Sequence, residues 1–435
     1  MKKIGTRRST GRAVFGVLAV LLTAASLAGC GGTTNGTPAA GEIDVRKLPI
    51  GNFSTDPLDV RYTYQHNARD AKEMALARLM DNVVIGADVD PKFSHNVTAL
   101  LMDSLDSAHA SRVLAGAVEP VLKSNGMMFG FSAAASTRAL PKSREVDQTD
   151  NFNPFGGALG DPESTAFNVT VLQFPDQQRA QVAADQMEAA DFAVAADQNV
   201  RVTLSKQPSA KAHWRPGVPS MAATVSHGQY VVNVYVAQPK PDLDGLRELT
   251  DQVLTAQLPL LDQAPALSPH EIFRLDYDPD AMLRRTLHPR NFFEAKPIHE
   301  AIHTPRGHLH LVDDQATWKP LLDANGVDRI STASSGGLLF RTRDANAAAK
   351  LWSGIVATTS GSVEAPANVP DVSCTENKTL IGDAWWGYYV GKTGGFYVCT
   401  LRYDRYVARV AGDQLIQAQQ AAAAQYALLA NSQYM

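Results

Sequence analysis

The segment His299-Glu300-Ala301-Ile302-His303 spells H-E-x-x-H. On a helix this spacing puts two imidazoles on one face, where they can ligate Zn²⁺ while the glutamate serves as general base. The neighbouring residues restrict that reading. Pro297 and Pro305 leave room for only about two helical turns, because an interior proline removes an N–H and clashes with the turn before it. No glutamate lies between Glu300 and Glu364 to act as a third ligand. Arg306 and Leu309 stand where the longer H-E-x-x-H-x-x-G-x-x-H pattern needs Gly and His. A milder metal chemistry is open to the residues that follow. His308-Leu309-His310-Leu311-Val312 alternates and predicts a strand with both imidazoles on one face. With His299, His303 and Asp313 close in sequence, His308 and His310 form a candidate non-catalytic Zn²⁺ or Cu²⁺ site. Solvent-facing histidines on an edge strand are the alternative.

Other patterns fall short of a catalytic set. Gly387 to Thr393 comes one residue short of a phosphate loop and leads into Phe396-Tyr397-Val398, a strand where a helix is needed. No Gly-x-Ser-x-Gly elbow occurs. Asp88/Asp90 and Asp276/Asp278 read as helix caps, each followed by a proline (Pro91, Pro279) at the first helical position. A cluster of aromatic residues offers binding chemistry instead. Strand alternation puts Trp386 and Tyr388 on one face and Trp385 and Tyr389 on the other. One face is expected under the closing helix, and the other is a candidate groove for glycan, lipid or an envelope protein, unless both faces pack. No cofactor is indicated.

Length and charge bound what these residues can belong to. The chain has 435 residues, 45% hydrophobic and 19% charged, with net charge -4, an ordinary globular balance without a basic footprint for nucleic acid. Three cysteines is an odd count, and the N-terminus accounts for one. Lys2, Lys3, Arg7, Arg8 and Arg12 precede an apolar run from Ala13 to Leu22 and small residues to Ala28, as in a signal peptide over 1–29. Leu27-Ala28-Gly29-Cys30 reads as a lipobox, with Cys30 as the acylated residue. The expected location is the extracytoplasmic face of the cell membrane. Cleavage before Cys30 removes five of the 40 basic residues and none of the 44 acidic ones, taking the net charge from -4 to -9. Cys374 and Cys399 then remain, and outside the cytoplasm they are expected to pair as a disulfide. A redox-active pair would favour Cys-x-x-Cys, which their separation does not give.

The elements that must position these residues come in two sets. Residues 30–57 read as a Gly-rich tether. Beyond it, a strand (Phe167 to Phe174), a helix to about Asp191, a hairpin around His227-Gly228 (Met221 to Val225, Gln229 to Val236) and a helix from Asp242 to about Leu261 follow in order. The second set is a strand from Gly337 to Arg341, a helix after Asp344, aromatic strands over Ala384 to Val390 and Gly395 to Ala408, and a helix from Asp413 to about Leu429. The order β-α-β-β-α thus occurs twice. It predicts an α+β protein of two related sandwich-like domains, 58–265 and 266–435, each a mostly antiparallel sheet with helices on one face.

The lipobox, the paired Asp-x-Asp-Pro elements, Thr304-Pro305-Arg306-Gly307 before an expected strand, Gly326-Val327-Asp328, the Phe340 to Asp344 segment opening an Ala-rich helix, and the final Cys…Cys hairpin together resemble one family. It is that of actinobacterial envelope lipoproteins, common in mycobacteria, nocardiae and rhodococci, built from a duplicated domain of unknown function. The resemblance implies location and architecture and carries no catalytic residues. The expected function is therefore ligand or partner binding at the cell envelope without catalysis. The alternatives are a metal-binding protein or zinc-dependent hydrolase at 299–303, and a scaffold protein of the envelope.

Overall fold

A computed structural model describes residues 43–57, 67–102, 113–139, 163–288, 300–312, 314–333, 337–377 and 396–433. The proposed signal peptide, Cys30, His299, Asp313 and the aromatic residues 385–389 lie outside them. Val45 to Met435 forms one compact unit.

In chain order its first half contains α1 (Ala68–Met80), α2 (Gly86–Val89), β1 (His95–Met102), α3 (Glu119–Ser124), β2 (Phe129–Ser136) and β3 (Ala166–Gln173). Then come α4 (Gln177–Ala193), β4 (Val200–Val202), β5 (Lys211–Trp214), β6 (Ser220–His227), β7 (Tyr230–Ala237), α5 (Leu243–Asp262) and α6 (Pro269–Ile272). The second half contains β8 (Ile302–His303), α7 (Pro305–Leu309), α8 (Gln315–Ala324), β9 (Arg329–Ala333), β10 (Gly337–Arg341) and α9 (Ala345–Ala357). It closes with β11 (Ser362–Val363), β12 (Val372–Asn377), β13 (Phe396–Tyr403), β14 (Tyr406–Gly412) and α10 (Leu415–Asn431).

Each half builds one seven-stranded sheet, and the orders are β1-β2-β3-β7-β6-β5-β4 and β8-β9-β10-β14-β13-β12-β11. All neighbouring pairs are antiparallel. The two lists match position for position, so the duplication seen as element order is also a duplication of topology. The α+β class follows directly from this arrangement.

Helices cover both faces of the first sheet, not one. Phe167, Val169 and Val171 of β3 and Val232 and Val234 of β7 share a core with Leu246, Val253 and Leu254 of α5. Leu172 and Val231, which alternate with them and point the other way, pack with Ala180, Ala183 and Met187 of α4. The reason is visible in β2 and β3, which are buried along their whole length. Their polar residues are satisfied inside: Asn168 Nδ2 donates to Ser132 Oγ at 2.7 Å and to the Ala133 carbonyl at 3.1 Å.

Two other expectations are corrected. The run from Gly395 to Ala408 is a hairpin, turning at Asp404, which takes a positive φ of 46°, between β13 and β14. Asp90 does not start a helix; it follows α2, and its side chain accepts from Lys92 N–H at 2.9 Å, closing a local turn before β1. Asp278 does precede a 3₁₀ turn at Pro279–Ala281, but its carboxylate reaches on to Leu283 N–H (2.7 Å) and Arg284 Nε (2.9 Å).

Cys374 of β12 and Cys399 of β13 sit directly opposite each other and are joined by a disulfide. Both are buried.

Candidate functional site

The two halves meet through the segment 304–312. Thr304 caps α7 by accepting from Gly307 N–H, and Pro305 occupies the first helical position. Thr-Pro is a helix-start signal, and it overrides the alternation that predicted a strand over 308–312. The helical turn sends successive side chains in different directions. Leu309 and Val312 join the second core with Ile85, while Leu311 joins the first. Asn96, at the start of β1, donates to the carbonyls of Leu309 and Val312 and accepts from Gln315 Nε2.

The histidines are buried by the same turn, instead of lining an edge strand together. His308 lies edge-on to Trp318 and Phe340, with ring centroids 6.1 and 5.6 Å away, and neither ring nitrogen has a hydrogen-bond partner among the described residues. His310 stands against Phe131 of the first half at 5.0 Å, with Nε2 3.1 Å from the Val83 carbonyl. His303 faces a third environment, the cavity described below. Burial drives all three toward the neutral form: His303 and His308 titrate at about 3 and His310 at about 4. Neutral imidazoles are good metal ligands, but among the described residues no three His, Cys, Asp or Glu converge as a ligand set.

The H-E-x-x-H segment is not a helix in its second half, since Ile302–His303 is strand β8, paired with β9. Glu300 precedes it, and its Oε1 is 2.7 Å from His288 Nε2. A zinc-binding helix face is therefore not formed at His303.

What the fold does assemble is a cavity of about 300 Å³ at the junction of the halves. The end of α1 contributes Met74, Ala77, Arg78 and Asp81, the connection after α6 contributes Leu275, Asp276, Tyr277 and Pro279, and residues 300–304 with Arg329 close it. The wall is largely apolar, with a few convergent polar groups, as ligand pockets are.

Asp81 is its chemical centre. Its Oδ1 accepts from both the N–H and the hydroxyl of Thr304, each at 2.9 Å. Gly307 makes this approach feasible, because a Cβ there would fall 2.1 Å from Asp81 Oδ1 and 3.1 Å from His303 Nδ1. The loop after α1 is pinned by Gln257 of α5, which accepts from Val84 N–H (3.0 Å) and donates to the Asn82 carbonyl (2.9 Å). Burial raises the Asp81 carboxyl to about 7, against the lowering effect of the Thr304 hydrogen bonds and of Arg329 and Arg306. Its side chain still keeps 17% of its surface exposed, so a proton can exchange. His303 Nδ1 is 3.9 Å from the same carboxylate, too far for a hydrogen bond.

Asp81 was not a candidate from sequence. It is one of several acids at helix ends, and its partner lies 223 residues away. Trp385, Trp386, Tyr388 and Tyr389, the candidate groove, lie outside the described residues.

No curated protein matches the chain. Among solved structures it is similar to the extracellular domain of PknH from Mycobacterium tuberculosis, with 12% identity over 44% of this chain and 98% of that one and a TM-score of 0.27. Two family models match, the N-terminal domain of unknown function DUF7373 over residues 62–277 and the C-terminal domain of DUF7373 over residues 282–432. Between them they span most of the sequence, and the chain belongs to this family.

Proposed function

We propose that this member of the DUF7373 family is a lipid-anchored protein of the cell envelope that binds a small molecule in the cavity between its two halves and does no chemistry on it. The observation that carries the binding reading is Asp81, an acid in the wall of a largely apolar cavity and held there by Thr304. Such a group orients a ligand. Among the described residues it has no proton relay, since His303 stands out of hydrogen-bond reach of it. The envelope reading rests on the lipobox ending at Cys30 and the basic, then apolar, leader before it. Among the described residues no helix is long and apolar enough to cross a membrane. Acyl chains on Cys30 would supply the anchoring, each buried CH₂ contributing about 0.8 kcal/mol.

Two measurements test these parts separately. Cys30→Ala should move the protein from the membrane fraction to the soluble fraction and abolish palmitate incorporation; an unchanged distribution would rule out the anchor. Denaturing extraction of protein purified from membranes, followed by mass spectrometry, should release one defined small molecule. A ligand-free extract from protein whose cavity also takes up no added small molecule would end the binding reading.

A further inference from the structure

The reading of the cavity as a ligand site can be taken further, to the chemical class of the ligand, because two carboxylates in its wall each keep an oxygen to which no described residue donates. Glu300 is 1% exposed. Its Oε1 is taken by His288, while Oε2 has no hydrogen-bond partner among the described residues. Asp81 spends Oδ1 on both Thr304 groups, and no described residue donates to Oδ2. His303, 2% exposed, likewise has an unpartnered Nδ1. Leaving a buried acceptor such as Glu300 Oε2 without a donor is unfavourable, so a partner that supplies donors is favoured here.

The cations around the cavity are already engaged elsewhere. Arg329 Nε donates to Asp280 Oδ2 (2.9 Å) and its Nη1 to the Asp328 carbonyl (2.9 Å). Arg78 Nη1 donates to the Pro265 carbonyl at 3.2 Å, and Arg306 Nε to Asp88 Oδ2 at 3.0 Å. An anionic ligand would meet Glu300, Asp81 and Asp276 in the wall, with both lining arginines held by their own acceptors. A bare metal ion would need converging ligands, and among the described residues no such group of three exists.

We infer that the cavity takes a small organic ammonium ion, whose N–H donors are shared between Asp81 and Glu300 and whose apolar body lies against Met74, Leu275, Tyr277 and Ile302. The volume of about 300 Å³ sits at the low end of ligand pockets and suits a monoamine of single-ring size. Charge-assisted hydrogen bonds inside a largely apolar wall give such a cation its advantage over a neutral molecule of the same shape.

The test uses the full chain in detergent and three probes with one body: 2-phenylethylammonium, 3-phenylpropan-1-ol and 3-phenylpropionate. Calorimetric titration is run at about pH 8, above the Asp81 titration near 7. The ammonium should bind about tenfold or more tighter than either companion, and Glu300→Gln should remove about tenfold of that affinity. Asp81→Asn gives the same readout should Glu300→Gln fail to fold by near-ultraviolet circular dichroism. Equal or tighter binding of the alcohol or the carboxylate would overturn the ammonium assignment while leaving the cavity as a binding site. Silence from all three probes at millimolar concentration would overturn the assignment and count against the binding reading itself. Competition by Ca²⁺ in place of the ammonium would overturn it in favour of a metal ion.

Discussion

Asp81 Oδ1 receives two hydrogen bonds from Thr304, one from the backbone and one from the hydroxyl, and through them the end of α1 is tied to the β8–α7 corner of the other half. The pair should act as a latch as well as a cavity wall. Asp81→Ala leaves two Thr304 donors without their acceptor and should cost about 1–3 kcal/mol. Urea unfolding at neutral pH would measure it, and a loss below a few tenths of a kcal/mol would contradict the latch.

The same carboxyl gives a pH signature with a definite sign. It titrates at about 7 in the folded protein against 3.8 ordinarily, so the folded state holds a proton that the unfolded chain has released between those values. Its contribution to stability is complete below about 4 and is lost as pH rises through 7. Asp81→Asn removes this dependence. The stability difference between wild type and Asp81→Asn should therefore shift in favour of wild type as pH falls from 7 to 4, and a constant difference would exclude the raised titration.

His308 contributes with the opposite sign. It titrates at about 3 when folded against 6.5 ordinarily, so its contribution is present above 6.5 and is lost as pH falls toward 3. Its ring is packed against Trp318 and Phe340, with no hydrogen-bond partner for either nitrogen among the described residues. His308→Leu should be neutral or stabilising by about 1 kcal/mol at pH 7 and should flatten the acid limb of the unfolding curve. Strong destabilisation at neutral pH would mean that the imidazole holds a partner.

Gly307→Ala places a Cβ 2.1 Å from Asp81 Oδ1, a contact that backbone movement must relieve. The expected loss is about 1–3 kcal/mol. In the background of Asp81→Ala the same substitution should cost distinctly less, because the colliding group is gone. A double-mutant cycle with zero coupling would contradict the close approach.

The disulfide between Cys374 and Cys399 joins residues 25 positions apart in sequence. In the chain-entropy model that adds roughly 3 kcal/mol. The double variant Cys374→Ala/Cys399→Ala should show that loss in denaturant unfolding, while an unchanged midpoint would mean that the loop is constrained by other contacts.

Much of this architecture was legible in the residues. Asp344 capping α9, Asp242 capping α5 and the turn at Gly228 between β6 and β7 are local signals, and local structure obeyed them. β1 and β2 went unseen. The β2 segment, Phe-Gly-Phe-Ser-Ala-Ala-Ala-Ser, is poor in β-branched residues and is buried on both faces, so it carries no strand periodicity. At 308–312 two signals competed, alternation and Thr-Pro capping, and the cap prevailed. The cavity was not legible at all, because Asp81, Glu300 and Arg329 come from segments separated by 219 and 29 positions and are brought together only when the two cores dock. The duplicated element order did imply a junction between halves; it gave no sign of which acid would face it.

The central claim, that the junction cavity holds a small molecule, is tested most directly by native mass spectrometry of the full chain released gently from membranes, wild type beside Ala77→Phe. Ala77 lines the cavity, and a phenyl ring there would fill the space a ligand needs. Wild type should carry an adduct of defined mass that Ala77→Phe lacks, with both proteins folded by circular dichroism. An adduct retained at full occupancy in Ala77→Phe, or a bare wild-type chain that also takes up none of the three probes, would contradict it.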